Sequence, residues 1–290
     1  MQKSRSGAAV RPLAIGAALI IASSTGGLAG GKSSSPIVLE DQGTFAYGGT
    51  VITGENGDTY HGDHGFVQYQ IPKNSRKYPI VMWHGGGQFG KTWESTPDGR
   101  DGYQNILPRN GYSTYILDQP RRARAGKSTI GTTIPNATPN ESSSFNTFRL
   151  GIWTPPQPRT FFPGVQFPQD ADSLDQYWRQ IVPNTGPEGG RDFQQVAGVA
   201  LMEEVGPAIL MTHSNSGQYG WRVAMHSKNV KAVISYEPAS WSFPASAPPA
   251  DIPTDNPQVA GLSTPDLVSD ADFDKLTKIP IQIIYGDNIE

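Results

Sequence analysis

Ser214 closes an apolar run and is flanked by small residues, a pattern with a specific chemical use. Ala208-Ile209-Leu210-Met211 reads as a short buried strand ending at Thr212. Thr212-His213-Ser214-Asn215-Ser216 follows, and then a helix-compatible run from Gln218 to His226. A serine on a sharp strand-to-helix turn presents its hydroxyl as a nucleophile, and the turn demands small residues two positions either side. Ser214 meets that demand with Thr212 and Ser216. The alternative register, with Ser216 as nucleophile, puts the bulky Gln218 in a small-residue position. A Ser/Asn/Gly cluster after a strand can also be nothing more than a turn.

A second segment could serve the same reaction. His84-Gly85-Gly86-Gly87-Gln88 follows the apolar strand Tyr78 to Trp83. Glycines there let backbone N–H groups approach an acyl oxygen without a β-carbon in the way, which makes Gly86 and Gly87 candidate oxyanion donors. The N–H of Asn215, the residue after the candidate nucleophile, would supply the other donor. Gly85 to Thr92 also fits Gly-x-x-x-x-Gly-Lys-Thr, a phosphate-binding loop, with Asp118 as its magnesium-binding carboxylate. Such a loop needs a helix to start at once, and Pro97 and Gly99 would break one.

These segments sit in a pattern of alternating strands and helices. Gly43–Thr53 and Gly65–Ile71 alternate like antiparallel strands. Tyr78–Trp83, Tyr112–Asp118, 208–212, Val230–Tyr236 and Ile279–Tyr285 read as further strands. Gly102–Leu107, Asp192–Val205 and Asp272–Thr277 read as helices, the first ending near Pro108. The pattern predicts an α/β fold with a mostly parallel central sheet and helices on both faces. Two Pro-rich stretches, about 130–187 and 241–268, interrupt it as lid insertions. Aromatics such as Phe145, Trp153, Phe161 and Trp178 favour a packed lid in the first.

The chain has 290 residues, enough for one large domain. It contains no cysteine, so thiol catalysis, disulfides and Cys-based metal sites are excluded. A net charge of −3 gives no reason to expect nucleic acid as a partner. Lys3, Arg5 and Arg11 followed by the apolar Leu13–Ala22 read as a signal peptide over residues 1–29, with residues 30–42 as linker and 43–290 as the domain. Signal removal would bring the net charge to −6, and no later stretch is apolar enough to span a membrane. The expected localisation is secreted or periplasmic. Asn136-Ala137-Thr138 and Asn140-Glu141-Ser142 are glycosylation acceptors only in a host that glycosylates.

Taken together, the His84-Gly-Gly-Gly run, Thr92 to Arg100, Tyr112 to Arg122 and Thr212 to Ser216 resemble an α/β-hydrolase. More narrowly, they are similar to a group of secreted bacterial-type esterases typified by esterase 713, from about Phe45 to the last residue. The Trp93 to Arg100 stretch and Tyr236-Glu237-Pro238 are the specific parts. The resemblance implies the α/β-hydrolase fold, a serine esterase, no metal or organic cofactor, and a small-molecule ester as partner. It also implies that Glu237 is the acid of a serine–histidine–acid triad, with Asp287 and Glu290 as alternatives one strand later. The triad order requires a histidine after the acid. All five histidines (His61, His64, His84, His213 and His226) precede Glu237. A C-terminally truncated chain, whose histidine lies beyond residue 290, is therefore the expectation, with a non-catalytic binding protein of the same fold as the alternative.

Overall fold

The computed structural model describes residues 36–134, 139–251, 253 and 265–286. The signal and linker residues 30–35, the Asn136 acceptor, Asp287 and Glu290 lie outside them. β1 (Leu39–Thr53) and β2 (Thr59–Pro72) form a long antiparallel hairpin. The first strand thus begins at Leu39, inside the stretch assigned to the linker. The reason is its partner: Leu39 lies opposite Pro72 and Asp41 opposite Ile71, so residues 39–42 are needed to pair the end of β2.

β2 hands over to a parallel set: β3 (Ile80–Trp83), β4 (Thr114–Asp118), β7 (Ala208–His213), β8 (Val230–Tyr236) and β11 (Ile281–Ile284). The spatial order is β1-β2-β4-β3-β7-β8-β11. All four side chains of β3 are buried, as expected of a strand covered on both faces. Val81 and Trp83 point to one face, where they pack with Leu210, Trp221 and Val223. Ile80 and Met82, alternating with them, point to the other and join Trp93, Ile116 and Met211. Each such fully buried side chain contributes about 1.5–3 kcal/mol.

α5 (Gly190–Val205), α6 (Asn215–His226) and α7 (Asp270–Leu276) cover the first face. α1 (Lys91–Glu94) and α2 (Tyr103–Arg109) cover the second. α2 runs two residues past Leu107, its expected end, and includes Pro108. A proline so close to a helix C-terminus forfeits a single backbone bond, and its ring is buried.

Between β4 and α5 the chain makes its first excursion, which carries α3 (Glu141–Thr147), the strand pair β5 (Gly151–Ile152) and β6 (Thr160–Phe161), and α4 (Ala171–Arg179). It has a small core of its own, in which Phe145 and Leu174 are almost completely buried and Phe161 and Trp153 stack edge-on against Phe145. Asn140 caps α3 by accepting from the Ser143 N–H at 2.8 Å, so the second acceptor motif spends its side chain on a helix end. The second excursion carries β9 (Ser242–Pro244), paired in parallel with β10 (Asp266–Val268). Asp266 fixes it to α6 through a two-pronged contact with Arg222 at 2.6 and 2.9 Å.

Candidate active site

β7 ends at His213 and α6 begins at Asn215, so a single residue makes the turn. Ser214 makes it with φ 52° and ψ −117°. A side chain rarely adopts that region, and holding it costs about 1–3 kcal/mol. The surroundings over-determine it: Ser214 N–H donates to Tyr236 O at 2.9 Å, and Ser214 O accepts from Gly217 at 2.9 Å and Ala239 at 3.0 Å. The helix starts three residues earlier than its periodicity suggests, because the turn is completed within Ser214.

The two small neighbours are buried in the turn's supports. Thr212 and Ser235 share a hydroxyl contact of 2.7 Å. Ser216 is completely buried; its one hydroxyl proton lies between Trp83 O and His213 O, and its oxygen accepts from His213 N–H. Its hydroxyl is spent on holding β7 against β3, which removes Ser216 as a nucleophile. Ser214, by contrast, is partly exposed.

The glycine loop lies directly opposite. A β-carbon on Gly86 would sit 3.5 Å from Asn215 Cβ, so the loop and the start of α6 face each other. Gly87 takes φ 68°, a conformation suited to glycine, and faces Ile181 of the first excursion. Its carbonyl accepts from Val182 N–H at 2.8 Å. Among the described residues, no protein acceptor takes the N–H groups of Gly86, Gly87 or Asn215. The three candidate donors are thus unspent, and Gly86 and Asn215 are brought together.

His84 is a support for this loop. Its Nε2 accepts from Gln119 N–H at 3.2 Å, which leaves the proton on Nδ1 to donate to Gly85 O at 2.9 Å. Burial, reinforced by the charge of Arg122, holds the imidazole down to about 4, so it is neutral at physiological pH. Because its pKa is depressed in the folded protein, the unfolded chain binds the extra proton first as pH falls below about 6.5. Folding stability is expected to drop as pH falls from about 6.5 to about 4, and His84→Gln to flatten part of that slope. Denaturant midpoints across this range check it; an unchanged slope in His84→Gln would refute the assignment.

Glu237 closes β8 with φ 43°. Its backbone N–H donates to Ile284 O at 2.8 Å, and its carboxylate accepts from Gly286 N–H at 2.9 Å. The other oxygen pairs with Arg149 of the first excursion. Glu237 borders a cavity of about 320 Å³ whose other walls include Trp93, His213 and Tyr236. Ser214 is not in its lining. Burial pushes the Tyr236 hydroxyl up, and it meets Tyr103 Oη at 2.6 Å.

The phosphate-loop reading fails on geometry. The helix after Gly90 is a four-residue turn. Lys91 Nζ donates to Ser95 O and Oγ, and Asp118 accepts from Gly90 N–H at 2.6 Å and Arg124 Nε at 2.7 Å. The cation and carboxylate are both consumed in holding the loop.

The histidines are placed elsewhere. His213 has Nδ1 on Gln88 Oε1 at 3.0 Å, with burial lowering its pKa. His226 caps the last turn of α6 through Arg222 O at 2.8 Å. His61 and His64 lie on β2 opposite Val51 and Gly48. Among the described residues, no imidazole bonds to Ser214 or Glu237. No group of three or more His, Asp and Glu that could hold a metal ion occurs among them either.

Sequence reading gave no role to Arg122, Asn184 or Glu188. Arg122 ends the Tyr112 to Arg122 stretch, but nothing in the order of residues shows that it is buried behind the glycine loop. Glu188 Oε1 accepts from Asn215 Nδ2 at 2.7 Å and Gln119 Nε2 at 3.4 Å, which joins the two halves of the site.

No family model matches the chain. It is 31% identical over 181 residues to the probable secreted lipase phiG of Fungal sp. (strain ATCC 74256), an alignment covering 61% of this chain and 50% of that protein. The match thus spans half the length of the curated relative. Among solved structures, a novel bacterial esterase superposes with a TM-score of 0.66 at 27% identity, covering 89% of this chain and 78% of the esterase. The sheet order, the serine turn and these likenesses agree: the chain has the α/β-hydrolase fold, and within that superfamily it resembles esterases and lipases.

Proposed function

We propose that the protein is an exported serine esterase that cleaves carboxylic esters of small molecules through an acyl-enzyme on Ser214. The observation that carries the reading is the Ser214 backbone. A strained turn, pinned by three hydrogen bonds and presenting a hydroxyl opposite unspent N–H groups, is a costly arrangement that suits a nucleophile. In this scheme Ser214 Oγ attacks the acyl carbon while its proton passes to an imidazole. The developing oxyanion takes the N–H groups of Gly86, Gly87 and Asn215, and collapse expels the alcohol. Water then releases the acid by the reverse proton path. Glu237 orients the imidazole and stabilises its charged form. The excursions at about 130–187 and 241–268 act as lids, the first anchored to the acid by Arg149. The basic and apolar start of the chain directs export.

The base in this scheme is the histidine that the triad order places after the acid, since among the described residues no imidazole bonds to Ser214 or Glu237. Imidazole in solution can take its place in a test. Added imidazole is expected to accelerate hydrolysis of p-nitrophenyl butyrate by the 290-residue protein in a saturable way. Ser214→Ala should return the rate to the imidazole background, and Glu237→Gln should lower it at least tenfold. Equal rates in parent and Ser214→Ala would remove the nucleophile; an unaffected Glu237→Gln would remove the acid. Saturable binding of the ester without Ser214-dependent turnover would favour the second reading, a non-catalytic binding protein. That reading draws on the lack of any imidazole bonded to Ser214 or Glu237 among the described residues.

A further inference from the structure

We propose that Arg122 is a positioning residue for the oxyanion hole, acting through the Gly85–Gly86 peptide. The inference rests on the esterase reading and extends it to a side chain that touches no substrate. Arg122 is 3% exposed, and it leaves β4's end to lie behind the glycine loop. Nε donates to Asn184 Oδ1 at 2.8 Å, with Nη2 on the same oxygen. Nη1 is directed at two carbonyls of the loop, Gly85 O at 3.4 Å and Gln88 O at 3.5 Å. The nearest carboxylate, Glu188, is 3.9 Å away. A neutral amide holds Nε and Nη2 of this guanidinium in place, and its third nitrogen, Nη1, is directed at the loop.

Peptide planarity turns that contact into a catalytic one. In a trans peptide the C=O and the following N–H point in opposite directions. Gly85 O is held on the protein side by three donors: His84 Nδ1–H at 2.9 Å, Gln88 N–H at 3.3 Å and Arg122 Nη1. The Gly86 N–H of the same peptide unit must therefore point away from Arg122. The pull on its carbonyl also makes that N–H a stronger donor. The contacts from Nη1 are long for hydrogen bonds, but a charge in a dry setting acts over such distances. Burying a guanidinium is costly, and a role in polarising this peptide accounts for the direction of Nη1.

The test is the labelling of Ser214 by a fluorophosphonate in imidazole buffer, with the maximal rate separated from the half-saturating concentration. Arg122→Gln is expected to lower the maximal rate about 10²-fold, the scale of losing one oxyanion donor. The half-saturating concentration should stay within about threefold. Arg122→Lys, which keeps the charge, should recover most of the rate. A parent-like maximal rate in Arg122→Gln overturns the proposal. So does a rate lost equally in the glutamine and lysine variants, because that pattern marks simple packing damage. If Arg122→Gln does not fold, Asn184→Ala frees the guanidinium at smaller cost and is expected to slow labelling about tenfold; a parent-like rate there overturns the proposal too. Failure of the parent itself to be labelled at Ser214 would instead defeat the esterase reading.

Discussion

Replacing Ser214 with glycine is expected to raise the unfolding midpoint of the protein while abolishing its reaction with a fluorophosphonate. At φ 52° and ψ −117° the serine occupies backbone space that costs a side-chain-bearing residue about 1–3 kcal/mol and costs glycine little. Glycine also loses more freedom on folding, which returns about 0.5–1 kcal/mol. The balance is a gain of about 1 kcal/mol, or roughly 2–4 °C for a chain of this size. Chemistry moves the other way. Removing the nucleophile of a serine hydrolase lowers turnover by about 10⁴-fold or more, leaving the contribution of oxyanion hole and binding. Scanning calorimetry and probe labelling on the same sample read both effects. A lowered midpoint would show that the Ser214 hydroxyl serves the fold, and persistent labelling would point to another nucleophile.

Arg121→Met is expected to destabilise the protein by about 3–5 kcal/mol, the usual result of stripping one partner from a buried ion pair. Arg121 and Asp63 are each 4% exposed and meet through two parallel bonds of 2.7 and 2.9 Å. Arg121 also donates to Pro187 O at 2.8 Å and stacks on Phe193, so it ties β2, the loop after β4 and the start of α5 together. Removing it strands the Asp63 carboxylate with Thr129 alone. Urea midpoints at neutral pH measure the loss. Replacing both residues with apolar ones should restore much of it, because the desolvated charge goes as well. The Arg121 guanidinium holds the Asp63 carboxyl down to about 2, against burial, with help from Thr129. A carboxyl depressed in the folded state adds stability above its unfolded pKa of about 3.9 and loses it as pH falls towards 2. The parent should therefore weaken across that window, and Arg121→Met should show a shallower decline. Equal acid slopes would mean that Asp63 does not depend on Arg121.

The pair adjoins Arg122 in sequence, so its role bears on the site. Arg121 fixes the loop from one side while Arg122 reaches the glycine run from the other. Adjacent residues thus tie the loop after β4 to the hairpin on one side and to the glycine run on the other.

Much of the frame was legible in the order of residues, because the relevant interactions are local. Four-residue apolar runs such as Ile80–Trp83 are strands buried on both faces wherever they sit in an α/β chain. Small residues either side of Ser214 are a steric requirement of its own turn, and glycine at 85–87 is a requirement of its own loop. Tertiary structure alone decided the rest. It sank the Ser216 hydroxyl between β3 and β7, where it bonds to Trp83 O and His213 O. It withdrew Lys91 and Asp118 from any phosphate by giving each a partner in the loop. It set Arg122 behind Gly85 and Glu188 beside Asn215, pairings that span 37 and 27 residues. Local sterics constrain a residue and its neighbours, whereas the partner of a buried charge depends on which distant segments the sheet order brings together.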